Sequence, residues 1–335
     1  MTYETEEQGG KCMDAPSEGQ IVSIGRVGRM IVPAIIADQG DAHARRFLEF
    51  FTVNIRNKNT RDAYAQAVKQ FLRWCEDRKL SLAQVEPMAV AAYIEAHTGS
   101  DPTRKQHLAA IKMLFDWMVS GQLMPVNPAA AVRGPKHVVK KGKTPVLTAK
   151  QARTLFDSID VATTIGLRDR ALIGVMVYSF ARIGAVVGMK GEDYYQDGIR
   201  RWFRLHEKGG KFHEVPAHHN ADQYLHEYQE RAGIASDRKL PLFRSVAGRS
   251  DTLTTLPLRR NNALDMVKRR VAAAGLSDRI CCHTFRATGI TTYLENGGTI
   301  EKAQQIAAHE SPKTTKLYDR TSDQINLDEV ERIVI

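Results

Sequence analysis

Tyr318 stands nine residues after His309 near the end of the printed sequence, and His283-Thr-Phe-Arg286 lies upstream of both. A phenol attacks phosphorus readily only when a base removes its proton or when cations stabilise the developing phenolate. The same reaction places charge on two non-bridging phosphate oxygens, and the departing oxygen needs a proton. These residue types therefore predict attack by Tyr318 on a DNA phosphodiester, provided that the remaining groups lie upstream.

Two arginines and two histidines are the candidates for that supporting set. Arg182 and Arg286 suit the phosphate, because a guanidinium stays protonated and offers a planar fork to oxygen. His283 precedes Arg286 by three residues, so at a helix start both project from one face. His283 is the candidate general base, and His309 would donate a hydrogen bond to a non-bridging oxygen. The alternatives are a structural salt bridge for Arg182 and ordinary buried imidazoles for the histidines.

A lysine at the tip of a hairpin would supply the missing proton. Residues 202–206 and 212–215 flank Lys208-Gly-Gly-Lys211, a pattern that predicts a β-hairpin with a glycine turn. An ammonium there can protonate the departing oxygen, and Lys208 and Lys211 compete for that role. A solvated loop is the ordinary alternative for such a turn.

Helices must position most of these side chains. Thr148 is a predicted N-cap that opens the second half of the chain, and a buried helix is predicted around Arg168–Ser179, directly before Arg182. The later predicted helices cover residues 262–274, 284–295 and 300–309, with another beginning at Ser311-Pro312 and an amphipathic one over residues 326–335.

The first half of the chain is predicted to be a separate helical unit. A helix capped by Asn59-Thr60 carries apolar residues at three- and four-residue steps, and further helices are predicted over Leu82–Ala96 and Thr103–Ser120. We divide the chain into a variable extension (1–36), a helical DNA-binding unit (37–132), a basic linker (133–147), a catalytic unit (148–320) and a tail (321–335).

Composition narrows the class of protein. The 335 residues carry a formal charge of +10, which favours a polyanionic partner. The longest apolar run, 171–181, is about half of the roughly 20 residues that a membrane-spanning helix needs. The start of the sequence is acidic rather than signal-like, so we expect a cytoplasmic protein. The four cysteines show neither zinc-finger nor disulfide spacing, and we expect reduced thiols and no metal.

Taken in order, Ala181-Arg182-Ile183, Lys208 in its Gly-rich hairpin, His283-Thr-Phe-Arg286, His309 and Tyr318 resemble the signature of the tyrosine recombinase (phage integrase) family. The resemblance covers residues 40 to 320. It implies a mainly α fold of two domains: a helical core-binding (SAM-like) domain, and a mixed α+β catalytic domain with a small antiparallel β-sheet, the DNA breaking-rejoining fold. It also favours Lys208 over Lys211, because the family's lysine precedes the turn glycine.

The resemblance implies a site-specific DNA recombinase or integrase. Tyr318 would form a 3′-phosphotyrosine link and expel a 5′-hydroxyl, without metal, ATP or another cofactor. The implied partners are double-stranded DNA with specific recombination sites and other copies of the chain, four on two synapsed duplexes; accessory DNA-bending proteins would bias the direction. The tail would dock on a neighbouring protomer or cover its own domain.

Three positions depart from the usual family pattern. Phe180 stands where Gly commonly lies two residues before the first arginine, and Ala185 replaces a Glu three residues after it. Ala308 stands where Gly often precedes the histidine. Without the carboxylate at 185, we expect different support around Arg182.

Two other functions fit parts of the pattern. A type IB topoisomerase uses a similar clamp and tyrosine, but the helical N-terminal unit favours the recombinase. A non-catalytic DNA-binding regulator of the same fold would need only the positive charge and the basic linker.

The basic side chains that we expect to contact DNA are Arg104, Lys105, Arg133, Lys136, Lys140, Lys141, Lys143 and Lys211.

Overall fold

The computed structural model describes residues 21–22, 30–136, 142–207, 212–248 and 250–320. The chain divides into two compact units, Met1–Val138 and Val139–Ile335. Each unit has a hydrophobic core of its own, and the active-site candidates all belong to the second.

The described part of the first unit is helical apart from one short strand pair, β1 (Ile21–Val22) with β2 (Met30–Ile31). Its helices are α1 (Ala34–Ala37), α2 (Asp41–Glu49), α3 (Lys58–Glu76), α4 (Pro87–Ala96) and α5 (Asp101–Ser120), with a π-helical turn at Phe50–Asn54 and a 3₁₀ turn at Leu82–Gln84. Phe71 of α3 packs edge-on to Phe115 of α5, and both are fully buried.

Two boundaries of the first unit differ from the sequence-based prediction. The N-cap of α3 is Asn57, whose Oδ1 accepts from the Thr60 amide at 3.1 Å, so the predicted Asn59-Thr60 cap is wrong. The predicted helix Leu82–Ala96 is divided into a 3₁₀ turn and α4. Pro87 explains this division. Proline has no amide hydrogen to donate within a helix, and its ring clashes with the preceding helical turn, so it fits only at the start of α4.

The second unit surrounds the buried helix α7 with further helices. Its helices are α6 (Ala149–Asp157), α7 (Thr164–Tyr178), α8 (Ile183–Val187), α9 (His219–Ala232), α10 (Arg260–Ala273), α11 (Cys282–Glu295), α12 (Ile300–Ala307) and α13 (Pro312–Lys316), with a 3₁₀ turn at Gly191–Asp193. The predicted Thr148 cap is confirmed: its hydroxyl accepts from the Gln151 amide at 3.2 Å.

The residues described in the second unit form two small antiparallel sheets. The predicted hairpin is confirmed as β4 (Arg200–His206) paired with β5 (Phe212–Pro216). A strand that the sequence analysis missed, β3 (Tyr194–Asp197), pairs with the other edge of β4. The second sheet is β6 (Arg244–Val246) with β7 (Leu253–Pro257).

Helix α11 lies close against the C-terminal end of α7 because residue 289 has no side chain. A Cβ at Gly289 would meet the Val177 carbonyl oxygen at 2.1 Å and the ring of Phe180 at 2.7 Å. At its other end α7 is tied to α10 by Asp169, a buried carboxylate that pairs with Arg168 at 2.7 Å and Arg270 at 2.8 Å. These contacts fix the position of α7, which ends shortly before Arg182, and of α11, which carries His283 and Arg286.

Candidate active site

Arg182 is presented by a sharp turn after α7. The helix ends at Tyr178 with Ser179 as its C-cap, and Phe180 then adopts φ +54°, a left-handed conformation that residues with a Cβ seldom adopt. Arg182 follows in extended conformation as the N-cap of α8. Its side chain is 42% exposed and is therefore accessible to a ligand.

A carboxylate from the hairpin holds Arg182. Nη1 of Arg182 donates to Oε2 of Glu207 at 2.6 Å, and the Glu207 side chain is only 7% exposed. Glu207 comes directly after β4, so the ion pair connects the hairpin to the start of α8. The predicted alternative for Arg182, a salt bridge, is thus present in the structure, but within the candidate site.

Helix α11 carries both His283 and Arg286 near its N-terminus. Arg286 is 1% exposed, and its Nη1 and Nη2 donate to the backbone carbonyls of Phe180 and Ala307, the latter at 2.6 Å. Its buried Nε has no hydrogen-bond partner among the described residues. Burial, together with the charge of Arg182, lowers the pKa of Arg286 to about 10. Arg286 therefore forms the floor of the site and remains a cation near neutral pH.

His309 and Tyr318 are placed by two short helices that follow. Ala308 ends α12 at φ +46°, and α13 starts at Pro312 after the Ser311 cap. The rings of His309 and Tyr318 then stack, with centroids 5.8 Å apart and planes 11° apart. The Tyr318 carbonyl accepts from the Thr291 hydroxyl of α11 at 2.9 Å, which fixes this segment against the helix that carries Arg286.

The Tyr318 hydroxyl lies 3.3 Å from Nε2 of His283. Partial burial first, and then the charges of Arg286 and Arg182, lower the pKa of His283. The same causes lower the pKa of His309 to about 3. Both imidazoles are therefore neutral near pH 7, so His283 can accept a proton from the adjacent phenol.

Nδ1 of His309 lies 2.9 Å from the Thr315 hydroxyl, a contact between two buried side chains. If that hydroxyl donates, the ring proton stays on Nε2 and is available to an oxygen anion.

The two residues that stand where the family commonly has glycine share one backbone conformation. Phe180 and Ala308 both occupy the left-handed region, in which glycine is unstrained. Phe180 offsets this strain by burial, since its side chain is 5% exposed and its ring lies edge-on to Tyr293 at 6.0 Å. Ala308 has only a methyl group to bury.

Sequence reasoning missed Glu207 and His213. A signal for Glu207 existed, because residues 203, 205 and 207 share one face at strand periodicity, and Phe203 and Leu205 are fully buried. A carboxylate at the third such position indicates a buried ion pair.

His213 donates from Nε2 to the Ile306 carbonyl at 3.1 Å. Burial is the main cause of the lowered pKa of His213, and the charges of Arg286 and Arg182 lower it further.

The structure brings together Arg182, His283, Arg286, His309 and Tyr318 in one region. Lys208, Lys211, Lys140 and Lys141 lie outside the described residues. Of the other basic candidates, Lys105 and Lys136 line a shared groove of about 290 Å³ in the first unit. Arg104 donates to the Gly99 carbonyl at 3.2 Å, whereas Arg133 and Lys143 are exposed.

Within residues 30–136 and the described ranges that follow, no three His, Cys, Asp or Glu side chains are grouped as a metal site would require. Among the same residues, no helix has the length and apolar character needed to cross a bilayer.

Comparisons with known proteins agree with this geometry. Residues 145–324 match the model of the phage integrase family, and residues 45–122 match its N-terminal SAM-like domain. The tyrosine recombinase XerC of Myxococcus xanthus is 30% identical over 259 residues, which cover 75% of this chain and 83% of that protein.

Two solved structures share the fold at low sequence identity. A lambda integrase dimer bound to a COC′ core site has a TM-score of 0.65 at 19% identity, covering 85% of this chain and 80% of that one. The XerH recombinase bound to its difH substrate has a TM-score of 0.64 at 17% identity, covering 90% and 95%. The fold expected from the sequence is confirmed.

Proposed function

The chain belongs to the phage integrase family of tyrosine recombinases and is a site-specific DNA recombinase, and we propose that it cuts and rejoins DNA through a covalent bond between Tyr318 and a 3′-phosphate. One observation carries the proposal: the Tyr318 hydroxyl lies 3.3 Å from Nε2 of His283, and burial together with the nearby charges of Arg286 and Arg182 lowers the pKa of that imidazole.

In the proposed cleavage step, the Tyr318 phenolic oxygen forms a bond to phosphorus while its proton passes to Nε2 of His283. The bond from phosphorus to the 5′ oxygen breaks, and its electron pair leaves with that oxygen, which takes up a proton to become a 5′-hydroxyl. No net hydrolysis occurs, so the phosphotyrosine retains a reactive ester bond. Attack by a 5′-hydroxyl from another strand reverses the step and completes strand exchange.

The charge that develops on the phosphate is assigned to three side chains. Arg182 is the accessible cation, and Arg286 is the buried one, whose Nε has no hydrogen-bond partner among the described residues. His309, held through Nδ1 by Thr315, offers its other nitrogen as a donor. Donors fixed before the reaction stabilise developing charge without reorganisation at the moment of transfer.

Lys208 is the proposed acid for the departing oxygen. It follows Glu207 directly in the sequence, and the Glu207 carboxylate contacts Arg182. The exchange itself conserves bond energy, and the cations take the roles that metal ions have in other phosphoryl transfers. We therefore propose a reaction without metal or ATP.

We further propose that four protomers act on two synapsed duplexes, because two duplexes require four cuts. The tail, residues 321–335, lies outside the described residues, and its docking on a neighbour stays a prediction.

The basic residues Lys105 and Lys136 are proposed to contact DNA phosphates from one groove. Such a protein acts in the compartment that holds DNA, which we take to be the cytoplasm.

The test uses nicked duplexes that trap a covalent intermediate, carrying repeats from the DNA that flanks the gene. Denaturing gels should show a protein–DNA adduct with the wild-type chain and none with Tyr318→Phe. Tyr293→Phe is the matched control, since Tyr293 packs in the same hydrophobic cluster as Tyr318. An adduct that persists in Tyr318→Phe would refute the assignment of the nucleophile. Binding by the wild type without any adduct would favour the regulator.

A further inference from the structure

The ion pair between Arg182 and Glu207 is unequal in its exposure. The Glu207 side chain is 7% exposed, whereas that of Arg182 is 42% exposed. The contact is short, at 2.6 Å, and joins residues 25 positions apart in the sequence. One partner is thus buried inside the unit, and the other is partly exposed to solvent.

Stability alone does not account for this arrangement. The second carboxylate oxygen of Glu207, Oε1, is buried and has no hydrogen-bond partner among the described residues. Removing a carboxylate from water costs several kcal/mol in general, and a single contact to a partly exposed guanidinium offsets it poorly. A hydrophobic residue would fill the same position at lower cost, as Phe203 and Leu205 do at the two preceding inward positions.

The position of Glu207 gives it a second connection. It lies at the end of β4, one residue before Lys208, while Arg182 caps α8. Residue 185, where family members commonly carry a carboxylate, is a buried alanine here. The only acidic side chain that pairs with Arg182 within the described ranges therefore comes from the hairpin.

We propose that Glu207 is a positioning residue for Arg182: its carboxylate fixes the guanidinium so that the remaining N–H groups face the phosphate, a role that residue 185 cannot fill in this chain. This inference rests on the proposed function. It also makes the orientation of Arg182 depend on the end of β4, which Glu207 follows directly.

Glu207→Gln tests the proposal by keeping the shape and removing the charge. The rate of covalent adduct formation on nicked duplexes should fall on the order of 100-fold, the cost of a group displaced by about 1 Å. Glu214→Gln is the matched control, because Glu214 lies on the same hairpin and pairs with Arg204 at 2.9 Å on the exposed side. It should cleave at the wild-type rate.

A double-mutant comparison separates positioning from a general structural effect. In an Arg182→Ala background, adding Glu207→Gln should reduce the rate by no more than roughly twofold, because the two residues act as one unit. Losses that multiply independently would overturn the proposal. If Glu207→Gln does not fold, as judged by its melting curve, Glu207→Asp replaces it and should give a smaller loss with the same dependence on Arg182.

Duplexes with sulfur in place of the departing 5′ oxygen distinguish Arg182 from Lys208. A thiolate leaves without protonation, so such duplexes correct a defect in the acid but not one in the phosphate clamp. The loss in Glu207→Gln should persist on them, and full recovery would overturn the proposal in favour of an effect on Lys208. No adduct with the wild-type chain would overturn the proposed function as well, whereas a wild-type rate in Glu207→Gln would overturn this inference alone.

Discussion

Phe180 combines a strained backbone with a buried ring, and substitutions at this residue can separate the two effects. Its φ of +54° costs about 1–2 kcal/mol for any residue with a Cβ. Its ring is 5% exposed and packs against Tyr293, and Phe→Ala changes at such sites cost about 3–5 kcal/mol.

Phe180→Ala keeps the strain and loses the ring, so it should destabilise the second unit by about 3–5 kcal/mol. Phe180→Gly also loses the ring, but it relieves about 1–2 kcal/mol of strain. The greater backbone freedom of glycine in the unfolded chain cancels about 0.5–1 kcal/mol of that relief. The net gain of glycine over alanine is about 0.5–1 kcal/mol, so Phe180→Gly should cost about 2–4.5 kcal/mol and should be the more stable of the two variants.

The assay is urea unfolding of the full chain, followed by hydrogen exchange of the α11 amides, because this helix packs directly on Phe180. Phe203 is the matched control, since it is fully buried in β4 and does not have a positive φ. There the order should reverse, with alanine about 0.5–1 kcal/mol better than glycine. Alanine more stable than glycine at position 180 would refute the strain argument, and unchanged stability in Phe180→Ala would refute the packing argument.

Ala308→Gly should stabilise the unit by up to about 1 kcal/mol in the same urea assay, because it relieves a φ of +46° and removes only a methyl group; a loss of stability would contradict this. The rate of adduct formation should fall on acidification with a midpoint below 6.5, because the pKa of His283 is lowered and the base works only when neutral; a midpoint above 6.5 would exclude His283 as the base. His309 has a folded pKa of about 3 against about 6.5 unfolded, so its contribution to stability is complete above pH 6.5 and declines as the pH falls toward 3, and His309→Gln should show a shallower acid dependence in pH-dependent unfolding. Lys208→Ala should slow cleavage about 10²- to 10⁴-fold and recover on duplexes with a 5′ sulfur leaving group, whereas no recovery would exclude Lys208 as the acid. Lys105→Ala should reduce the salt dependence of DNA binding by about one phosphate contact, as measured by titration at several salt concentrations, and an unchanged slope would place DNA elsewhere.

The helices and the hairpin were predictable because their signals are local. The cap at Thr148, the glycine turn after β4 and the three-residue spacing of His283 and Arg286 are properties of neighbouring residues. The errors at Asn57 and Pro87 were also local. Asn57 caps α3 two residues before the predicted cap, and Pro87 lacks the amide hydrogen that a continuous helix would need.

The reason for the unusual residue at 180 was not local. A sequence shows that phenylalanine replaces glycine there, but only the structure shows that the residue is left-handed and that its ring is buried next to Gly289. The strain and the packing that offsets it arise from separate elements, α7 and α11. Neither α7 nor α11 alone determines whether the packing of the Phe180 ring offsets the backbone strain.

The sequence by itself determined the order and identity of the proposed catalytic side chains, from Arg182 to Tyr318, because side-chain chemistry is fixed by residue type. The tertiary structure decided what supports them. Glu207 reaches Arg182 across 25 residues, and the Phe180 carbonyl reaches Arg286 across 106. Such partners depend on how strands and helices pack, because a hydrogen bond requires atoms within about 3 Å and the chain can bring many different pairs to that distance.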